Sequence, residues 1–420
     1  MFERTVLPDG PRVISARLPG TRSLAVAVYI LAGSRVESRE RWGVAHFMEH
    51  VTFKGTQHYP TTREVSEAIE GCGGHCNAAT DRESTVYWAR LPVRNTERAF
   101  QVLGELVVRP LLRTEDITRE REIIVEEIRS YRDDPAQYVF NVFDEAFFGD
   151  TPLGREIAGD EDSVRNLPGE EIRGFWSESY RPANLVVAVA GDIDHASAVD
   201  LAGSAFGSGN GVVSGFSAAP TTPFRRFRFE ARPVSQAHLC VGLSALPRDH
   251  PDQWTFELLN TILGDGSSSR LFLEVRENAG LAYDVHSFGT DYSDAGTLQV
   301  YAGVDPADLP TALAAILREL ARLRDELVSP DELERARAFA RGRLELRLEE
   351  SRHMASWLGV QEALHDRVLT LDDALAELDS VTPEKIQQLA ADLMRDDALC
   401  LAVIGPRGSG RGLDKELRLP

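Results

Sequence analysis

The chain has 420 residues, 43% hydrophobic and 27% charged, with a formal net charge of −20 at pH 7. That length allows two or more domains, and the composition is ordinary for a folded globular protein. The acidic balance argues against nucleic acid or an anionic membrane surface as a partner, and among charged ligands it favours basic peptides.

The first residues, Met1 to Thr5, lack the basic segment and apolar core of a secretory signal. No apolar run approaches the ~18 residues of a membrane span, so none is expected. The four cysteines, at 72, 76, 240 and 400, are scattered. They fit a reducing cytoplasm better than a disulfide framework. An early strand is expected at Ser23 to Ile30. The segment His46-Phe47-Met48-Glu49-His50 follows. On a helix, positions i and i+4 share a face, so His46 and His50 can reach one metal ion. Glu49 lies nearly on that face, where a carboxylate can hold a water and take its proton. The order H-x-x-E-H inverts the commoner H-E-x-x-H zinc motif.

Next comes Gly73-Gly74-His75-Cys76-Asn77-Ala78-Ala79-Thr80, which reads as a turn leading towards a strand at Ser84 to Leu91. Cys72, His75 and Cys76 invite a second metal reading. Their flanks read instead as a strand entry, and no second Cys/His pair is close in sequence, so no metal is expected there. The stretch Thr118 to Ile128 is dense in acids, lacks Gly and Pro, and reads as helix. Glu120 and Glu127, seven apart, share a face, whereas Glu126 points about 100° away from Glu127. A His₂Glu set is a known catalytic zinc arrangement. Glu127 is the favoured third ligand, with Glu120 supporting the site from behind. Glu126 is the alternative.

The remainder echoes the beginning. The apolar run Asn184 to Gly191 has a counterpart at Ala398 to Gly405, displaced by 214 residues. The strand Ser23 to Ile30 has a counterpart at Ala237 to Ser244, and the acid-rich helix around Glu120 has one around Glu334, at that same displacement. These repeats predict two copies of one domain of roughly 200 residues. We expect an N-terminal metal-binding domain at 1–206, a Gly/Ser/Pro-rich linker at 207–223 and a C-terminal domain at 224–420. The mixture of adjacent strands and clustered helices predicts an α+β class, each domain a mostly antiparallel sheet with helices packed on one face. The stretch from Asp331 to Leu364 reads as one or two amphipathic helices.

The runs Ala45 to Thr56 and Glu120 to Glu127, with a separation of 77 residues from His50 to Glu127, resemble the signatures of the pitrilysin/insulysin superfamily of zinc peptidases. The sequence looks closest to the branch of mitochondrial processing peptidase and its bacterial relatives. In the second half, Ser268 to Phe272 and Arg276 to Tyr283 are similar to that family's pattern as well. The resemblance spans essentially the whole chain. It implies a zinc endopeptidase that cleaves peptides or unfolded segments in an enclosed chamber, using a water activated by Glu49. One Zn²⁺ per chain would be held by His46, His50 and Glu127, with Glu120 supporting catalysis. Asn77 and Ala78 would lie on an edge strand that takes the substrate backbone as an added strand. Arg276 and Tyr283 would bind the substrate backbone and stabilise the oxyanion. Both residue sets occur on one chain, so a homodimer is expected, with a heterodimer of related chains the alternative. The same fold also serves non-catalytic structural or assembly subunits and peptide binders, which form the rival reading.

Overall fold

The computed structural model describes residues 2–8, 10–209 and 216–420. Residues 210–215, inside the expected linker, lie outside the described residues. The first sheet has six strands: β1 (Glu3–Val6), β2 (Arg12–Arg17), β3 (Ser23–Ile30), β4 (His75–Thr80), β5 (Thr85–Pro92) and β6 (Leu185–Gly191). Their order is β1-β2-β6-β3-β5-β4, and every pair is antiparallel except β2 with β6. The second sheet has five: β7 (Phe227–Ala231), β8 (Ala237–Ala245), β9 (Ala282–Asp291), β10 (Gly296–Val304) and β11 (Cys400–Gly405). Its order is β7-β11-β8-β10-β9, again with one parallel pair, β7 with β11. Five strands of the first sheet thus recur in the second with the same order and senses. The displaced sequence pairs are β3 with β8 and β6 with β11. The class is α+β with two domains, as the sequence predicts.

The central strands read as unbroken apolar runs because both of their faces are covered. In β3, Leu24, Val26, Val28 and Ile30 point into the larger core, which also holds Phe47, Met48, Phe100 and Ile124. Ala25, Ala27 and Tyr29 point to the opposite face, against Ala355 and Leu358. The second sheet repeats this division. Leu239, Val241 and Leu243 enter one core, while Cys240 faces a second cluster around Phe143 and Phe147.

Two expectations need correction. Helices do not cover one face only, because a helix also lies on the other face of each sheet. The helix Ser351–Leu364 lies on β2, β3 and β6, and the helix Pro135–Phe148 lies on β8 and β11. The domains are also not contiguous in sequence. One compact unit comprises 1–129, 156–217 and 345–370, and the other 130–155, 218–344 and 371–420. The covering helix of each unit therefore comes from the opposite half of the chain. Close approach makes the attachment possible. A Cβ on Gly359 would sit 2.3 Å from the Tyr29 ring, and one on Gly242 would sit 2.7 Å from the Phe143 ring. Glycine leaves the space that these aromatic side chains fill.

One buried histidine couples the second unit to pH. His238 on β8 shares a hydrogen bond of 2.9 Å between Nδ1 and the Tyr301 hydroxyl. Burial holds its pKa below the usual value of 6.5, against a weaker opposing pull from Asp134. The unfolded chain therefore binds this proton more readily than the folded one. The contribution to stability is complete above pH 6.5 and is lost as pH falls from there towards the lower folded value. We expect His238→Gln to flatten the fall of Tm between roughly pH 7 and 5, measured against the wild-type slope in the same buffers. Parallel slopes would remove His238 as the cause.

Candidate metal centre

The helix Val44–Thr52 carries the first two donors. It starts after Gly43, whose φ is 91° and whose Cβ would meet the Ala158 carbonyl oxygen at 2.7 Å, so only glycine fits. The buried Glu37 carboxylate accepts hydrogen bonds from the amides of Gly43 and Ala45, both at 2.8 Å. An anion at this position pairs amides that the helix leaves unsatisfied and complements its dipole. Val44, Ala45, Phe47, Met48 and Val51 are buried in the core, which turns His46, Glu49 and His50 to the other face.

The helix Thr114–Arg132 packs Ile117, Ile124, Val125 and Ile128 inward. Arg121 fastens it by donating to the carbonyls of Arg165 at 2.9 Å and Leu167 at 2.8 Å, and its guanidinium lies 5.5 Å from the Phe47 ring centre. Glu127 then faces the histidines. Its Oε1 is 3.7 Å from His46 Nε2 and its Oε2 is 3.1 Å from His50 Nε2. Glu126 turns away and pairs with Arg129 at 2.5 Å. One donor atom from each of His46, His50 and Glu127 lies within 4.8 Å of the others. Tetrahedral zinc with bonds of ~2.0–2.1 Å places its ligand atoms about 3.4 Å apart. The set thus needs only a small contraction to hold such an ion, and two imidazoles with one carboxylate suit zinc chemically.

Further residues support this face. Glu120, 2% exposed, places Oε2 3.4 Å from His50 Nδ1, while Lys54 Nζ is 2.8 Å from Glu120 Oε1. A carboxylate on the far ring nitrogen keeps the proton at Nδ1 and aims the Nε2 lone pair at the site. Thr80, at the end of β4, donates its hydroxyl to Glu49 Oε2 at 2.6 Å. The sequence reading assigned no role to Thr80, Lys54 or Glu37. Lys54 has a sequence signal, since it follows His50 by four residues. Thr80 and Glu37 have none, because strand pairing and loop closure bring them in.

Electrostatics divide the two imidazoles. Burial, then the neighbouring His50, pushes His46 down to about 4 despite Glu127. Burial also acts to lower His50, but hydrogen bonds with Glu120 and Glu127 outweigh it and push it up to about 9. The hydrogen bond to His50 holds Glu127 below the usual carboxylate range against burial. In Glu120 burial acts upward and is outweighed by His50 and Lys54. Burial raises Glu49, with the Thr80 hydrogen bond in opposition and the Glu127 charge adding to the rise. These shifts belong to the metal-free protein, in which Glu127 stabilises a proton on His50 Nε2, where a cation would otherwise lie, and Glu120 meets the other ring nitrogen.

Among the described residues, β4 is the last strand of its sheet and one of its edges has no strand partner. The amide of Ala78 is met there by the side-chain oxygen of Asn77 at 2.9 Å. The other sequence candidates belong to the second unit. Arg276 lies on a π-helix, Phe272–Asn278, and Tyr283 is the second residue of the edge strand β9. The Arg276 guanidinium stacks on both Phe272, at 4.8 Å, and Tyr283, at 4.7 Å. Tyr283 is 78% exposed, so it serves no core.

Comparison with known proteins bears on the same regions. Residues 12–161 match the family model described as insulinase, peptidase family M16, and residues 166–339 match the one described as the peptidase M16 inactive domain. An uncharacterized zinc protease of Streptomyces coelicolor is 35% identical over 96% of this chain and 89% of its own length. The chain belongs to peptidase family M16. A second M16 relative, the uncharacterized zinc protease YmxG of Bacillus subtilis, is 33% identical over 97% of this chain and 99% of its own. The fold matches the crystal structure of a protease from Helicobacter pylori with a TM-score of 0.90, at 22% identity, over 97% of this chain and 99% of that one. Both of these relatives are named zinc proteases. Among the described residues, no helix is long and apolar enough to cross a membrane.

Proposed function

We propose that this M16 chain is a zinc-dependent endopeptidase acting on peptides or unfolded protein segments within an enclosed chamber. The observation that carries this reading is the convergence of His46, His50 and Glu127, with the Glu49 carboxylate on the same helix face. A Zn²⁺ held by those three side chains would supply Lewis acidity at the attacking water and the scissile carbonyl. Glu49 takes the proton of the water and returns a proton to the leaving amine. Glu120 and Lys54 keep His50 in the ligating tautomer. Asn77 and Ala78 offer the open edge of β4 to the substrate backbone, which gives sequence-tolerant affinity. Arg276 and Tyr283 supply donors for the substrate backbone and the developing oxyanion. The metal stoichiometry proposed is one ion per chain. The assembly proposed is a homodimer, because one chain carries both residue sets. The cytoplasm is the proposed compartment, in keeping with four free cysteines.

The test is cleavage of a quenched basic peptide by purified protein, with and without a chelator, beside Tyr283→Phe. Chelator-sensitive cleavage is expected, restored by Zn²⁺. Loss of one oxyanion donor costs ~10²–10³-fold in kcat, and Tyr283→Phe should approach that range with its zinc content unchanged. Absence of cleavage by protein carrying one zinc per chain would favour a peptide-binding or assembly subunit instead.

A further inference from the structure

Thr80 closes β4, where it pairs with Thr85 across the turn into β5. Strand alternation puts Thr80 on the face of Cys76 and Ala78, the face that packs into the core shared with the helix Val44–Thr52. Its hydroxyl therefore reaches that helix and donates to Glu49 Oε2 at 2.6 Å. A hydrogen bond to a carboxylate is shorter and about twice as strong as a neutral one. This one joins the end of an open sheet edge to the one carboxylate on the His46/His50 helix face.

We propose that Thr80 is a positioning residue, whose hydroxyl fixes the Glu49 carboxylate and ties it to the strand edge that receives the substrate. The proposal rests on the endopeptidase reading for its consequence and on the Thr80–Glu49 contact for its geometry. Glutamate has three side-chain torsions, and without a fixed donor its carboxylate samples several rotamers. A misplacement of ~1 Å in a reacting group can cost about 10²-fold in rate. A strand added along β4 lies on the same backbone that ends at Thr80, so ordering of that strand by substrate is passed to the base through Thr80, whose hydroxyl and backbone amide both act on the Glu49 carboxylate. Threonine suits the position because its β-branch favours the strand while its oxygen makes the bond.

The discriminating pair is Thr80→Val, which keeps the shape without the donor, and Thr80→Ser, which keeps the donor without the methyl. Thr80→Val is expected to lower kcat by ~10–100-fold, with KM within about twofold and zinc content unchanged. Thr80→Ser should stay within about threefold of wild type, because a serine hydroxyl can make the same bond. A readout independent of turnover is the crystal structure of each metal-free protein. Glu49 should keep one carboxylate position in the wild type and Thr80→Ser, and leave it in Thr80→Val. A Thr80→Val protein with Glu49 in its wild-type position, or with undiminished kcat, would overturn the assignment, as would an equal loss in Thr80→Ser. If the wild type cleaves no peptide, the endopeptidase reading fails on its own, and the three crystal structures alone decide whether Thr80 positions Glu49.

Discussion

Glu49→Gln is expected to lower kcat by ~10²–10⁴-fold, the range supplied by a positioned proton-transfer group, while zinc content stays at the wild-type level. None of the three converging donor atoms belongs to Glu49, so the carboxamide leaves them in place. The Thr80 hydroxyl can donate to the amide oxygen as it does to the carboxylate, so the local geometry is retained. The same substitution carries a prediction about stability. Burial raises the Glu49 pKa, so its charge is unfavourable in the folded, metal-free protein. The sign follows directly: a carboxyl with a raised folded pKa costs stability once pH exceeds its unfolded value, and a neutral amide removes that cost. Metal-free Glu49→Gln should therefore melt at or above the wild-type temperature at pH 7, by differential scanning calorimetry. A variant that loses turnover and also melts well below wild type would point to structural damage, and near-normal turnover would take the proton-transfer role from Glu49.

The parts of the site legible in the sequence are those set by helical periodicity. His46, Glu49 and His50 fall on one face because the helix fixes their spacing, and Glu120 and Glu127 do so for the same reason. The central strands were legible as apolar runs such as Leu185–Gly191, although helices were expected on one face only and such a run signals cover on both. What covers the second face was not. An amphipathic helix such as Ser351–Leu364 specifies that one side is buried and says nothing about which sheet buries it. The decisive residues are small ones, Ala355 and Gly359, which let the helix approach the Tyr29 face of β3. The displaced repeat held the explanation in outline. The helix Pro135–Phe148 precedes Ser351–Leu364 by 216 residues, so the two exchanged helices are counterparts in the two halves. Thr80 and Glu37 were invisible for a related reason. Their contacts with Glu49 and with the amides of Gly43 and Ala45 depend on strand register and on a loop path, which no local spacing encodes.

Periodicity also left Glu126 and Glu127 as alternatives, and the two predict opposite results in the metal-free and metal-loaded protein. Glu127→Ala removes one of the three converging donors, and zinc affinity should fall by more than the ~10–100-fold typical of losing an outer partner. Glu127 is half-exposed, with 49% of its side chain accessible, so truncation opens no cavity in the core. It also withdraws the acceptor 3.1 Å from His50 Nε2, whose hydrogen bond helps to raise the His50 pKa. The metal-free variant should therefore fold normally and titrate His50 lower than wild type, observable in the imidazole proton resonances. Glu126→Ala breaks only an exposed pair with Arg129, which already has Glu161 at 2.8 Å. Such surface pairs contribute ~0–1 kcal/mol, so zinc binding and turnover should match wild type. Equilibrium dialysis of both variants against a zinc buffer separates the two acids. Retention of zinc by Glu127→Ala with loss in Glu126→Ala would mean that the helix Thr114–Arg132 turns its other flank to the histidines when metal is present.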